Sequence, residues 1–315
     1  MKKIMFVFPG QASQYVGMGK EFFDNHSIFS DIINRANDDA VGYDIKKIIF
    51  EGPLDQLSLT KHTQPAVFII SVACFCLFES KFPMTDVQCL CAGHSLGEYS
   101  ALVACGALTF EDALALILKR AEYLQEASDK SKGGMAAILG ATESIVCDIC
   151  KEASSCGICQ AVNFNAPGQI IISGELAALE TARRLAKEKK VKMIPLAVSG
   201  AFHSSLMKDA AAKMAIEMKK YQFDKPKFPI ITNCDAEINT EAYDIPAKLV
   251  KQIASPVLWI DTIQKAVSAG YGTFIEFGPK NIVSGMIRKI HPEANIFNVE
   301  NEITLKNTLE GLSKI

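Results

Sequence analysis

The chain opens on KKIMFVF, whose apolar, β-branched and aromatic run predicts a short buried strand stopped by Pro9-Gly10. Apolar residues then recur at helical spacing near 18–39 and 64–80. A second apolar run at 87–92 predicts a strand leading into GHSLG, with a helix after it to about Gly106 and another over 110–128. Strands alternating with helices in this way predict an α/β domain with a mostly parallel sheet. The rhythm then changes. Residues 133–140 read as a strand and 142–154 as a helix. Two strands at 158–164 and 169–173 flank the turn signal NAPG. A helix at 175–190 and a strand at 191–198 complete the order βαββαβ, that of a ferredoxin-like unit. Residues 127–199 therefore read as a small subdomain inserted into a discontinuous catalytic domain of residues 1–126 and 200–315. After it, the pattern predicts a helix at 204–221, a strand at 228–233, helices around 245–269, a strand at 273–277, a helix at 280–290, a strand at 294–299 and a final helix.

Composition narrows the functional classes. The 315 residues are 49% hydrophobic, enough for a sizeable core, and the formal net charge is −2. That balance excludes nucleic acid as an expected partner, since phosphate binding needs a concentrated basic surface. The first apolar run is too short for a secretory leader, and runs such as AVFIISVACFCLF (66–78) are too short for a membrane span. Ten cysteines in such a chain read as reduced thiols of a cytoplasmic protein. Cys147-x-x-Cys150 and Cys156-x-x-Cys159 lie too close together for a zinc ribbon, so no metal is expected.

The candidate chemistry centres on Gly93-His94-Ser95-Leu96-Gly97, the G-x-S-x-G spacing of a serine nucleophile on a strand-to-helix turn. The helix start brings orphan N–H groups to a developing oxyanion, with the Leu96 N–H as the natural first donor. His94 adjoins Ser95, so its ring should point away from Oγ and support the turn. His26 and His62 read as surface residues. His203, in AVSGAFHSS, follows a predicted strand at the sheet edge where α/β proteins place their sites, and position favours it as the base. His291 is the alternative that an esterase of the α/β-hydrolase type would use. Arg120 lies opposite the charged face of its helix, flanked by Leu116, Ile117 and Leu124, with no carboxylate at helical spacing. Its acceptor is either a distant protein carboxylate or a carboxylate on the substrate, which a guanidinium binds bidentately.

Several ordered motifs carry a resemblance that spans nearly the whole chain: FPGQASQ (8–14), TQPA (63–66), GHSLGEYSAL (93–102), GGMAAILG (133–140), NFNAPGQIIISG (163–174), AVSGAFHSSLM (197–207), QIASPVLW (252–259) and FIEFGPKNIVSGM (274–286). They resemble the malonyl-CoA:acyl-carrier-protein transacylase family and the related acyltransferase domains of fatty-acid and polyketide synthases. The resemblance implies an α/β-hydrolase-like core with a ferredoxin-like insert. It implies Ser95 as nucleophile, His203 as base and acid, and Arg120 as clamp for the malonyl carboxylate. It also implies an oxyanion hole from the Gln11 and Leu96 N–H groups, with Gln252 orienting His203 through its main-chain carbonyl. The activity implied is reversible ping-pong transfer of malonyl from malonyl-CoA to the phosphopantetheine thiol of acyl carrier protein, supplying fatty-acid synthesis, with no cofactor. A trans-acting polyketide role and a catalytically dead carrier-binding module are alternatives. Phe202 in the AFH signature implies malonyl over methylmalonyl. Ala12 and Ala201 depart from the family's usual glycine and proline. An acidic carrier should seek a basic surface, and residues 183–192 supply Arg183, Arg184, Lys187, Lys189, Lys190 and Lys192 against a single acid. A monomer is expected.

Overall fold

The structure is a computed structural model that describes residues 2–314 apart from 37 and 199; the side chains of 38 and 39 are also left out. The subdomain boundary expected at 199 therefore lies outside the described residues. Ten strands run β1 (Lys2–Phe8), β2 (Val87–Gly93), β3 (Gly133–Leu139), β4 (Cys159–Ala166), β5 (Gln169–Glu175), β6 (Lys192–Pro195), β7 (Ile230–Ile231), β8 (Ile238–Asn239), β9 (Thr273–Phe277) and β10 (Asn295–Val299). They form a six-stranded sheet in the order β10-β9-β1-β2-β7-β8 and a four-stranded sheet in the order β4-β5-β3-β6. The large sheet is parallel except for the short β7–β8 pair, and the small sheet is antiparallel throughout.

Strand β1 shows why the large sheet sits between two helical layers. Ile4, Phe6 and Phe8 point into one core with the helix Thr60–Glu79, while Met5 and Val7 point into another with Trp259–Ser268 and Ile282–Ile290. A strand covered on both faces needs apolar residues at every position, which explains the unbroken IMFVF run. The first core holds a knot of rings in which Phe277 meets Phe6, Phe8, Phe75 and Phe78 with centroids 5.2–5.6 Å apart. The helix Thr60–Glu79 is long and apolar enough to cross a membrane by length and composition, contrary to the estimate from run length. It is buried among these core residues instead.

The small sheet has the strand order of the expected ferredoxin-like unit, and the fold class read from the pattern is the one observed. Its Ala136, Ile138, Ile170 and Ile172 pack on the helices Glu143–Ala153 and Leu176–Glu188. Its other face turns Met135, Ala137 and Ile171 toward a cleft shared with the large sheet. Main-chain hydrogen bonds from Phe164 N to Val257 O (3.0 Å) and from Val257 N to Val162 O (2.8 Å) bind the edge strand β4 to the larger layer.

Some elements differ from the pattern reading. The helix expected over 18–39 is broken at His26, whose extended backbone (φ −132°) separates Lys20–Asn25 from Ser27–Arg35. The strand expected over 191–198 pairs at Lys192–Pro195, with one further bond from Leu196 N to Met135 O (2.9 Å). The chain then turns, Val198 N bonding Leu196 O at 2.9 Å, and lines the cleft with Leu196 and Val198. The strand expected over 228–233 has two ladder residues and turns back as β8. His62 is buried rather than on the surface, its Nδ1 bonded to the Gln56 carbonyl at 2.8 Å and its ring against Tyr43.

Candidate active site

Ser95 stands between the end of β2 and the helix Gly97–Ala104 with φ +52°, a left-handed conformation uncommon for a non-glycine residue. Two glycines make the turn fit. A Cβ on Gly93 would lie 1.8 Å from the Gly97 carbonyl carbon, and one on Gly97 would lie 2.2 Å from the Phe8 carbonyl oxygen. Asn233 ties the turn down: its Oδ1 accepts the Ser95 N–H at 2.7 Å and its Nδ2 donates to the Gly93 carbonyl at 2.7 Å. The strained elbow is thus held by a side chain 138 residues away in sequence.

His203 Nε2 lies 2.7 Å from Ser95 Oγ, and its Nδ1 lies 2.9 Å from the Gln252 carbonyl oxygen. A carbonyl only accepts, so Nδ1 carries the proton and Nε2 presents its lone pair to the serine hydroxyl. Burial first, and then the positive charge of Arg120, pull the imidazole down to about 3 from its usual 6.5, which keeps the ring neutral. His203 also has a positive φ, +61°. No carboxylate touches the ring among the described residues, so the pair is a dyad supported by a main-chain carbonyl.

His94 points away from Oγ. Its Nε2 bonds Asn165 Oδ1 at 2.8 Å and its ring packs edge-on to Trp259, with centroids 5.6 Å apart. His291 ends the helix Ile282–Ile290 and does not line the cleft. The geometry therefore brings His203, and not His291, to the serine.

Arg120 is 2% exposed and carries no carboxylate partner among the described residues. Its Nη1 donates to Gln64 Oε1 at 2.7 Å, and its Nη2 donates to Ser95 Oγ and to Gln252 Oε1, each at 3.1 Å. Its Nε–H has no acceptor among the described residues. Its direct partners are thus neutral oxygens only, and a buried guanidinium so placed has one donor left that an anion could take. The Tyr99 ring lies 6.0 Å from the guanidinium carbon.

Gln11 lies on the loop after β1, which abuts the elbow: a Cβ on Gly10 would come within 2.6 Å of the His94 carbonyl oxygen. Neither the Gln11 nor the Leu96 N–H donates to a protein acceptor among the described residues. Ala12 takes φ +82°, and its loop is pinned by the Gln14 side chain at 2.8 Å and by Lys280 Nζ at 3.4 Å. The cleft above these groups holds about 280 Å³ and is walled by Phe202, Met135, Ile171, Ile282 and Met286. Among the described residues no cluster of three or more His, Cys, Asp or Glu side chains is arranged to hold a metal. Cys150 and Cys159 are buried, whereas Cys147 and Cys156 are exposed.

Four polar residues that sequence reasoning did not single out complete the site: Gln64, Glu98, Asn165 and Asn233. Three of them fall inside quoted motifs, TQPA, GHSLGEYSAL and NFNAPGQIIISG, but nothing in local spacing shows where their side chains point.

Residues 5–300 match the family model described as "Acyl transferase domain". The chain is 38% identical over 311 residues to the malonyl CoA-acyl carrier protein transacylase of Haemophilus influenzae, covering 98% of this chain and 99% of the relative. To the enzyme of the same name from Bacillus subtilis it is 39% identical, covering 100% and 98%. The solved malonyl CoA-acyl carrier protein transacylase of Clostridium perfringens superposes with a TM-score of 0.93 at 39% identity, covering 99% of this chain and 98% of that one. A malonyl-transacylase solved in complex with its holo type II polyketide acyl-carrier protein superposes with a TM-score of 0.93 at 35% identity, covering 98% and 100%. On both sequence and fold, this chain belongs to the acyltransferase-domain family.

Proposed function

We propose that this acyltransferase moves a malonyl group from malonyl-CoA to the phosphopantetheine thiol of an acyl carrier protein, through a malonyl ester on Ser95. His203 Nε2 takes the Ser95 proton as Oγ attacks the thioester carbonyl. The Gln11 and Leu96 N–H groups hold the resulting oxyanion. Collapse breaks the carbon–sulfur bond, and the coenzyme A thiolate leaves with the proton from His203. The carrier thiol then gives its proton to His203, attacks the malonyl ester and releases Ser95 with its proton restored. Each half interconverts a thioester and the Ser95 ester, and the two together exchange one thioester for another, so the reaction is reversible and ping-pong. A thiol leaving group needs little acid assistance, which suits a dyad without a third acidic member. No step calls for a cofactor.

The observation that carries the malonyl reading is Arg120, a buried guanidinium bonded at 3.1 Å to the nucleophile and otherwise only to amide oxygens. A substrate ending in a carboxylate supplies the missing negative charge and accepts from the unused Nε–H. Phe202, 7% exposed on the cleft wall, would crowd an α-methyl branch and favour malonyl over methylmalonyl. Arg120→Ala should lower kcat/KM for malonyl-CoA by about 100-fold, the scale of a lost buried charge contact. Loading from acetyl-CoA should be retained or improved. An equal loss with both substrates would contradict the clamp.

The proposal extends to the carrier. Within 183–192, Arg183 pairs with Glu180, Arg184 with Glu188 and Lys189 with Glu152. Lys187, Lys190 and Lys192 have no ion-pair partner among the described residues and are the members of the patch left for an acidic carrier protein. Residues 127–199 would then act as a subdomain that walls the cleft and receives the carrier. The role in supplying extender units is placed in the cytoplasm, with one chain sufficient for the chemistry.

A further inference from the structure

Behind the reacting side chains lies a buried carboxylate to which the steps above give no part. Glu98, in the first turn of the helix Gly97–Ala104, is 1% exposed and forms no ion pair among the described residues. Its Oε1 accepts the Asn233 N–H at 3.0 Å, and its Oε2 accepts from Gln252 Nε2. Both partners reach the site directly. Asn233 holds the elbow backbone. Gln252 gives its main-chain oxygen to His203, donates from Nε2 to the Ser95 carbonyl at 2.8 Å, and accepts from Arg120 at Oε1.

A carboxylate at this position does what a neutral group cannot. The two ends of a glutamine amide are nearly alike in shape, and only their hydrogen-bond partners decide which way the amide faces. Glu98 accepts and does not donate, so it draws the Gln252 nitrogen toward itself and turns the oxygen toward Arg120. Burial pushes the Glu98 carboxyl up to about 8, while the Asn233 N–H, the Gln252 amide and Arg120 act the other way. Burial therefore outweighs these donors and favours the neutral acid near pH 7, whereas the geometry favours the carboxylate, because both oxygens face N–H donors and an O–H there would have no acceptor.

We propose that Glu98 is a positioning residue for substrate selectivity: through the Gln252 amide it holds Arg120 ready for a substrate carboxylate, while keeping the compensating negative charge one residue away from the guanidinium. A carboxylate bonded directly to Arg120 would occupy the fork that the substrate needs. With no counter-charge nearby, the buried cation would be costly to keep. The inference rests on the reading of Arg120 as the clamp and explains how that clamp stays both occupied and open.

The test compares malonyl-CoA with acetyl-CoA as donors for acylation of Ser95, in the full-length protein and in Glu98→Gln. The new amide sets an NH2 group against Asn233 N–H or Gln252 Nε2, so Gln252 loses one of the acceptors that hold its side chain against Arg120, and the guanidinium loses the negative charge behind it. The expected result is a fall of at least about 10-fold in the malonyl-to-acetyl ratio of kcat/KM, carried by malonyl. Glu98→Asp, which keeps the carboxylate but draws it back by one methylene from Gln252 and Asn233, should fold and show a smaller fall in the same ratio, and it decides the question if Glu98→Gln does not fold. An equal loss for both donors, or a ratio unchanged from that of the unsubstituted protein, would overturn the role of Glu98. An unsubstituted protein with no preference for malonyl-CoA would instead overturn the clamp itself, so the two failures are told apart.

Discussion

Ser95 and His203 both sit at positive φ, and the strain is held by partners far away in sequence: Asn233 for the serine, Gln252 for the histidine. The neutral state of His203 has a consequence that can be measured. With its imidazole pulled down to about 3 by burial and then by Arg120, the base stays unprotonated well below neutral pH. The kcat/KM for acylation by acetyl-CoA, a donor that makes no use of the Arg120 clamp behind which Glu98 lies, should stay flat from pH 8 to pH 5, whereas an ordinary histidine would lose half its activity near pH 6.5 and about tenfold by pH 5.5. A midpoint near 6.5 would contradict the assignment. The same depression bears on stability. The unfolded chain binds protons at this histidine below about 6.5 and the folded one does not, so its contribution is present above that pH and is lost as pH falls toward 3. His94, buried and shifted in the same direction, adds to the trend. At this scale Ser95 and Arg120 stand out as local signals, a glycine-flanked serine and a helical arginine with no partner at helical spacing. The strand expected to carry His203 to the sheet edge ends instead at Pro195 in the small antiparallel sheet, so the place of His203 beside Ser95 is a tertiary fact. Glu98, Gln64, Asn165 and Asn233 give no local signal. Their partners lie 56 to 154 residues away, and a buried amide or carboxylate looks the same in the sequence as an exposed one.

Among the elements, the helix Ile282–Ile290 shows how a wall of the cleft is fixed. Glu276, at the end of β9, is fully buried and accepts the Val283 N–H at 3.1 Å and the Ser284 N–H at 2.7 Å. It satisfies two orphan donors of the helix that presents Ile282, Val283 and Met286 to the cleft. Glu276→Ala should cost about 2 kcal/mol in urea unfolding, near the upper end for a lost helix cap. A change below about 0.5 kcal/mol would show that the cap does not hold the helix. The strand β9 matches its expected span because an apolar run buried on both faces has sharp ends. The helix expected over 18–39 was less legible: periodicity sees which face is apolar but not a residue such as His26 that leaves the helical region between two compatible stretches.

Across the whole molecule, the two sheets are joined along β4 and Val257, with the catalytic groups on the large sheet's edge and an apolar face of the small sheet opposite. The change from mostly parallel to antiparallel order was legible from element order alone, since βαββαβ allows few arrangements. The charge pattern of 183–192 was legible only in part, because acids elsewhere in the fold and on the same helix neutralise three of its six cations. Reversing Lys187, Lys190 and Lys192 to glutamate should raise KM for the carrier protein by about tenfold at low salt, with the effect fading at high salt and malonyl-CoA loading unchanged. Unchanged transfer at every salt concentration would remove the patch from the account. The central claim is a serine relay that passes malonyl to a thiol rather than to water. Intact-mass spectrometry after mixing with malonyl-CoA tests it most directly. One malonyl adduct is expected, localised to Ser95, absent in Ser95→Ala and discharged faster by holo carrier protein than by water. Hydrolysis with no transfer to the carrier, or an adduct that persists in Ser95→Ala, would contradict it.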